Sequence, residues 1–176
     1  NDGMNRVGPA GRGESTWLGF FLYDILMHFS PIAGKKEGDG KKKFYLDRAG
    51  KLRNALNAMW RDGQYVRAIT DSGEEMLFDD VLNASWPVLS GAADFDRAAR
   101  AVEQGLKHLE QENLVLLLSP AFTDSSQPNP GKLADYPPQE PRSEAGAACG
   151  AECWKRGEGI AGDDIGYGPD AYQRLL

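Results

Sequence analysis

At 176 residues, with 41% hydrophobic and 26% charged side chains, the chain has the size and composition of one globular domain, not of a disordered or fibrous segment. Its net charge of −6 argues against a general nucleic-acid role, which relies on a basic surface to displace condensed counterions. The 21 glycines and 10 prolines exceed ordinary usage and have to be concentrated in particular loops.

The N-terminal stretch is rich in Gly, Arg and Asn and reads as a loop until Ser15 or Thr16 offers a side-chain oxygen to cap a helix. Leu18, Phe21, Leu22, Ile25, Leu26 and Phe29 recur at helical spacing, and Trp17, Phe20 and Met27 make the other faces apolar. This predicts a helix to Phe29 that is buried on several sides. It contains Asp24 and His28 and spans about 13 residues, short of the roughly 20 that cross a bilayer, so no direct membrane insertion is expected. Ser30-Pro31 is expected to end it, because the residue before proline is pushed out of the helical region.

A linker from Ala33 to Gly40 follows, and its lysines, with Lys41 to Lys43, read as a solvated loop and helix start. A second helix then carries Tyr45, Ala49, Leu52, Leu56 and Met59 on one stripe. Asp62-Gly63 and Asp71-Ser72-Gly73 are turns around the strand-like run from Tyr65 to Thr70, which predicts a short β-hairpin. A third helix is expected over Phe78 to Ser90, with a kink at Pro87 and Gly91 at its end. Asp94 caps a fourth, whose predicted buried face is Phe95, Ala98, Val102, Leu106 and Leu109. Leu114 to Leu118 reads as a buried extended segment.

The sum is an all-α chain built as an antiparallel helical array, with ligands expected where loops converge at the helix ends. From Asp124 the chain turns proline-rich, and from Arg142 glycine-rich without apolar periodicity, so an irregular tail is expected. There is no initiator Met, basic leader or cleavage pattern, and residue 1 reads as a cut within a longer polypeptide. Cys149 and Cys153 fit neither a C-x-x-C redox pair nor half of a zinc site. Read as unpaired thiols, they favour a reducing compartment, and a cytoplasmic location is expected.

The residues with most chemistry lie first in the chain: Asn1-Asp2-Gly3-Met4-Asn5-Arg6-Val7-Gly8, then Gly11-Arg12-Gly13-Glu14-Ser15-Thr16-Trp17-Leu18-Gly19. Acids, an amide, an arginine and an aromatic in a glycine-rich loop are the means by which proteins hold sugars. Carboxylates and amides bond several hydroxyls, Trp stacks on a pyranose face, and a protonated carboxyl can donate to a leaving glycosidic oxygen. By composition alone the same residues also make an ordinary Gly/Asp turn.

These two segments resemble the inverting glycoside phosphorylases of glycoside hydrolase family 94, and more narrowly the phosphorylase-like domain of cyclic β-1,2-glucan synthases. In that family a D-W-N-D-G-M-N-R-V-G segment precedes G-R-G-E-S-x-W-L-G-F-F-L. Asn1-Asp2 stand two residues inside the first. The similarity continues through Tyr23-Asp24, Trp60 to Ala68, Ser85 to Asp94 and Leu116 to Pro138.

The resemblance implies part of an (α/α)6 toroid in residues 1–138, no metal or organic cofactor, and inverting phosphorolysis of a β-glucan. The implied partners are the oligosaccharide, inorganic phosphate as co-substrate, and the remainder of the parent polypeptide; any membrane attachment of that parent would come through other domains. Asp2 would be the general acid. Asn1, Arg6, Glu14 and Trp17 would bind sugar or support the loop. After Pro137-Pro138 the family continues into a glycine-rich stretch with a phosphate-holding His, whereas this chain has Gln139-Glu140-Pro141-Arg142, so 139–176 is expected to be a divergent tail. His28 and His108 sit on predicted helices and read as structural or surface residues. Glu74, Glu75, Asp79 and Asp80 have no assigned role. The alternative is a non-catalytic helical module with a carbohydrate-binding or structural face.

Overall fold

The computed structural model describes residues 4–112, 114–122 and 128–132. After a looped start come β1 (Glu14–Ser15), α1 (Thr16–Glu37) and α2 (Asp39–Asn57). Five two-residue strands follow: β2 (Trp60–Arg61), β3 (Gln64–Tyr65), β4 (Ala68–Ile69), β5 (Glu75–Met76) and β6 (Asp79–Asp80). Then come α3 (Val81–Leu89), α4 (Phe95–Leu109) and β7 (Leu118–Ser119).

Helices dominate the described residues, as the apolar periodicity predicts. Instead of one hairpin there are three small antiparallel sheets, ordered β1-β4-β5, β2-β3 and β6-β7. α1 packs on α2, α3 on α4, and α1 also on α3. No helix among the described residues is long and apolar enough to cross a membrane.

The first helix starts where its cap predicts, with Ser15 Oγ accepting from the Leu18 N–H at 3.5 Å. It does not stop at Ser30. Pro31 has no N–H to give the Met27 carbonyl one turn back, but Ser30 Oγ donates to that carbonyl at 3.1 Å, and the helix runs on to Glu37. The linker expected over 33–40 shrinks to Gly38, whose φ of 90° is open to glycine at little cost.

The main core gathers Phe20 and Tyr23 of α1, Ala49 and Leu56 of α2, Tyr65 of β3, and Ala98 and Ala101 of α4. Phe20 and Trp60 both meet the Tyr65 ring edge-on, at 5.1 and 4.8 Å between centroids. Only part of α1 is covered: Phe21, Leu22, Ile25, Phe29 and Ile32 remain exposed, Ile32 by 58%. The expectation of burial on several sides is corrected accordingly. A second cluster joins Met4 and Val7 of the N-terminal loop to Ala68, Met76 and Leu118. That cluster fixes the candidate site.

Candidate functional site

The N-terminal loop folds back on itself and is held from the β4–β5 turn. Asp71 Oδ2 accepts from the Ala10 N–H at 2.6 Å, and Oδ1 accepts from Arg12 and Gly13 at 2.8 and 2.9 Å. The Asp71 N–H in turn donates to the Val7 carbonyl at 2.9 Å. One side chain thus satisfies three backbone donors far away in sequence. The bond from Ala10 is the largest cause holding the Asp71 carboxyl below its usual range. Partial desolvation opposes it, and the Arg12 and Gly13 bonds and the Arg12 charge add to it.

Glycine is required where this loop closes. A Cβ on Gly13 would lie 2.5 Å from Gly8 Cα, and one on Gly8 would lie 2.8 Å from Gly13 Cα. Lys132 N–H donates to Asn5 Oδ1 at 2.9 Å, and a Cβ on Gly131 would collide with the same oxygen. The backbone from Met4 to Gly13 is therefore fixed by its buried apolar side chains, by Asp71 and by the 128–132 segment.

Beside the N-cap of α1 lies a buried ion pair. Arg67 Nε donates to Asp80 Oδ2 at 2.7 Å, with the two side chains 1% and 3% exposed. Arg67 Nη1 also donates to Ser15 Oγ at 3.0 Å, and its carbonyl accepts from Thr16 N–H at 3.1 Å. Asp80 Oδ1 caps α3 by accepting from Leu82 and Asn83 at 2.7 and 3.1 Å. One arginine, just before β4, therefore ties the N-terminal caps of α1 and α3 together. Charges so far from water persist only when paired and fully hydrogen-bonded.

Asn1 and Asp2 lie outside the described residues. Arg6 is exposed on the loop, and Glu14 stands exposed in β1 opposite Ile69. Glu14 borders a cavity of about 150 Å³ that Asn5, Gly8, Gly13, Ser15 and Leu18 also line. Trp17 points elsewhere. Its ring stacks on Phe21 at 6.2 Å and meets Trp86 edge-on at 6.5 Å, with the Arg67 guanidinium 5.9 Å from it. The structure thus brings Glu14 and the loop backbone together around one cavity and sends Trp17 into the α1–α3 contact.

Three of the four unassigned acids acquire side-chain partners. Glu75 receives two bonds from Arg61, at 2.8 and 3.1 Å, Asp79 meets His108 at 2.7 Å, and Asp80 holds Arg67. His28 neighbours Asp24 one turn earlier on α1. Among the described residues no cluster of three or more His, Cys, Asp and Glu side chains stands at metal-binding spacing. Cys149 and Cys153 lie outside the described residues.

Two residues of the site escape a reading of the sequence alone. Arg67 carries a signal, since a charge within the strand-like Tyr-Val-Arg-Ala-Ile-Thr run demands a buried partner. Asp71 carries none, because Asp-Ser-Gly reads as a turn whether or not the carboxylate reaches elsewhere.

The family model for the glycosyl hydrolase 94 superfamily, catalytic domain, matches residues 1–175. The chain is similar to the cyclic beta-(1,2)-glucan synthase NdvB of Rhizobium meliloti (strain 1021), 33% identical over 150 residues. It is also similar to the solabiose phosphorylase of Paenibacillus borealis, 31% identical over 147 residues. Each match covers 78% of this chain, but only 5% of the first relative and 19% of the second.

Proposed function

The chain belongs to the glycosyl hydrolase 94 superfamily, and from that premise we propose that it forms the acid-bearing part of an inverting glycoside phosphorylase acting on a β-linked glucan. It contributes Asp2 and the loop behind it to a larger helical toroid, and does not complete turnover by itself. In this reading 1–138 belong to the toroid and 139–176 form a divergent tail. The small share of each relative that it spans supports this role as a part of a larger catalytic unit.

In the proposed reaction the Asp2 carboxyl gives its proton to the glycosidic oxygen as the bond from the anomeric carbon to that oxygen breaks. A phosphate oxygen forms the new bond from the opposite face, so a β-linked sugar leaves as an α-configured sugar 1-phosphate. Phosphate takes the place that activated water has in an inverting hydrolase, so the attack needs no second catalytic carboxylate. Arg6, with its fixed positive charge, and Asn1 offer donors to sugar hydroxyls or phosphate. Glu14 offers an acceptor at the edge of the cavity, while Trp17 packs in the α1–α3 contact rather than on the sugar.

The observation that carries this reading is the triple backbone anchorage on Asp71, which gives the loop behind the acid one shape before substrate arrives. The test is to incubate the full-length parent with β-1,2-gluco-oligosaccharide and inorganic phosphate and follow products by phosphorus and proton NMR. Phosphate-dependent release of α-glucose 1-phosphate supports the reading. Oligosaccharide binding without any such release would identify a non-catalytic carbohydrate module instead.

A further inference from the structure

We infer that the seam between β3, β6 and the α3–α4 pair is a binding site for one buried water molecule, held first of all by the side-chain oxygen of Asn83. The inference stands whatever sugar the parent acts on.

Asn83 lies in the first turn of α3 and is 4% exposed. Its Nδ2 donates to the Tyr65 carbonyl at 2.7 Å, which fixes the orientation of the amide, since the reversed group would set two oxygens against each other. Oδ1 is buried and has no hydrogen-bond partner among the described residues. A carbonyl oxygen taken out of water without a donor is costly, and in folded proteins such groups are satisfied by protein or by ordered water. The nearest protein donors are committed elsewhere: Arg67 Nε and the N–H groups of Leu82 and Asn83 all go to Asp80.

Asn83 lines a cavity of about 10 Å³ together with Tyr65, Asp79, Ala84, Gln104 and Gly105. That is room for one water and for nothing larger. The helices meet here through small residues, since a Cβ on Gly105 would lie 2.6 Å from Ala84 Cβ, so neither of these positions supplies a side chain to fill the space. The lining offers the several polar partners that a buried water needs: Asn83 Oδ1 and the Asp79 carboxylate as acceptors, and the Gln104 amide as a donor. A cation suits the cavity less well. The positive charge of Arg67 already neutralises Asp80 beside it, and among the described residues no cluster of three or more His, Cys, Asp and Glu side chains could hold a metal. Through the water, the amide of α3 joins the carboxylate of β6 and the amide of α4, closing a polar seam next to the Arg67–Asp80 pair.

The test is a crystal structure of the full-length parent at a resolution that shows ordered water, with Asn83→Leu in the same crystal form. In the unaltered protein a water peak is expected within about 2.5–3.0 Å of Asn83 Oδ1 and within hydrogen-bond reach of at least one further polar group of the lining. Asn83→Leu, which supplies apolar bulk and no acceptor, should lose that peak while the Arg67–Asp80 bond persists. If the leucine variant does not accumulate as folded protein, the map of the unaltered parent decides alone. A cavity without density, an Asn83 Oδ1 bonded to a protein donor, or a peak that survives in the leucine variant would overturn the inference. So would a peak at about 2.3–2.6 Å from several oxygens, the spacing of a bound cation.

Discussion

Asp71 carries a charge whose value to the fold depends on pH. Its folded pKa is depressed, chiefly by the Ala10 backbone bond, so its contribution is present above the unfolded value near about 3.9 and is lost as pH falls through the lower folded value. Arg12 is the charged group beside it and favours the same ionised form. Titrated by NMR, the Ala10, Arg12 and Gly13 amide nitrogens should shift together, with a midpoint below the usual carboxylate range, and the shift should vanish in Asp71→Asn. A midpoint at or above that range would show that the carboxylate does not hold the loop. Tyr65 gives the opposite case. Burial pushes its hydroxyl up to about 12, with Arg97 lowering and Asp94 raising it to smaller extents. Folded stability should therefore decline as pH rises from about 10 towards 12, since the unfolded chain releases its proton first. Tyr65→Phe should flatten that decline, as read by urea midpoints across alkaline pH.

Among the elements, sequence periodicity locates every helix of the described residues and misjudges some boundaries and faces. Ser15, Asp80 and Asp94 stand at helix N-caps, yet α1 outruns its predicted end because Ser30 takes over the carbonyl that Pro31 leaves free. On α4 the predicted apolar face includes Phe95, which is 67% exposed, and omits Ala101 and Gly105, which are buried. Small residues are the informative ones: α3 approaches α4 so closely that a Cβ on Gly105 would lie 2.6 Å from Ala84 Cβ. A Cβ on Gly50, in the middle of α2, would meet nothing within 4 Å. The same substitution should then have opposite signs. Gly50→Ala should stabilise by about 0.5–1 kcal/mol through helix propensity. Gly105→Ala should destabilise by about 1–3 kcal/mol through overpacking. Chemical denaturation of the two variants checks this, and two stabilising results would mean that the α3–α4 contact is looser than its geometry implies. The candidate site is legible in its loop residues, which stand together in sequence. Its supports, Asp71 at the loop and Arg67 and Asp80 at the N-caps of α1 and α3, come from other turns and strands, and only folding brings them to the site.

At the scale of the molecule, the described residues leave a stripe of Phe21, Leu22, Ile25, Phe29 and Ile32 exposed on α1, with Leu22 47% and Ile32 58% exposed. Contiguous apolar patches beyond a few hundred Å² are rare on soluble monomers and mark places where other structure packs. In a larger family 94 domain, neighbouring helices would supply that cover. The isolated chain should therefore self-associate and bind a hydrophobic dye. Leu22→Lys/Ile25→Glu/Ile32→Lys should raise the monomer fraction in analytical ultracentrifugation while leaving helical content unchanged. A sharp, monomeric melt from the unaltered chain would contradict this.

The assignment of Asp2 as proton donor is tested most directly by Asp2→Asn in the full-length parent, assayed with two substrates. Against a β-glucan, phosphate-dependent turnover should fall by about 10²–10⁴-fold, the usual contribution of general acid catalysis. Against a β-glucosyl donor whose leaving group departs without a proton, most of the activity should remain. Equal losses on both substrates, or undiminished phosphorolysis of the glucan, would contradict the account.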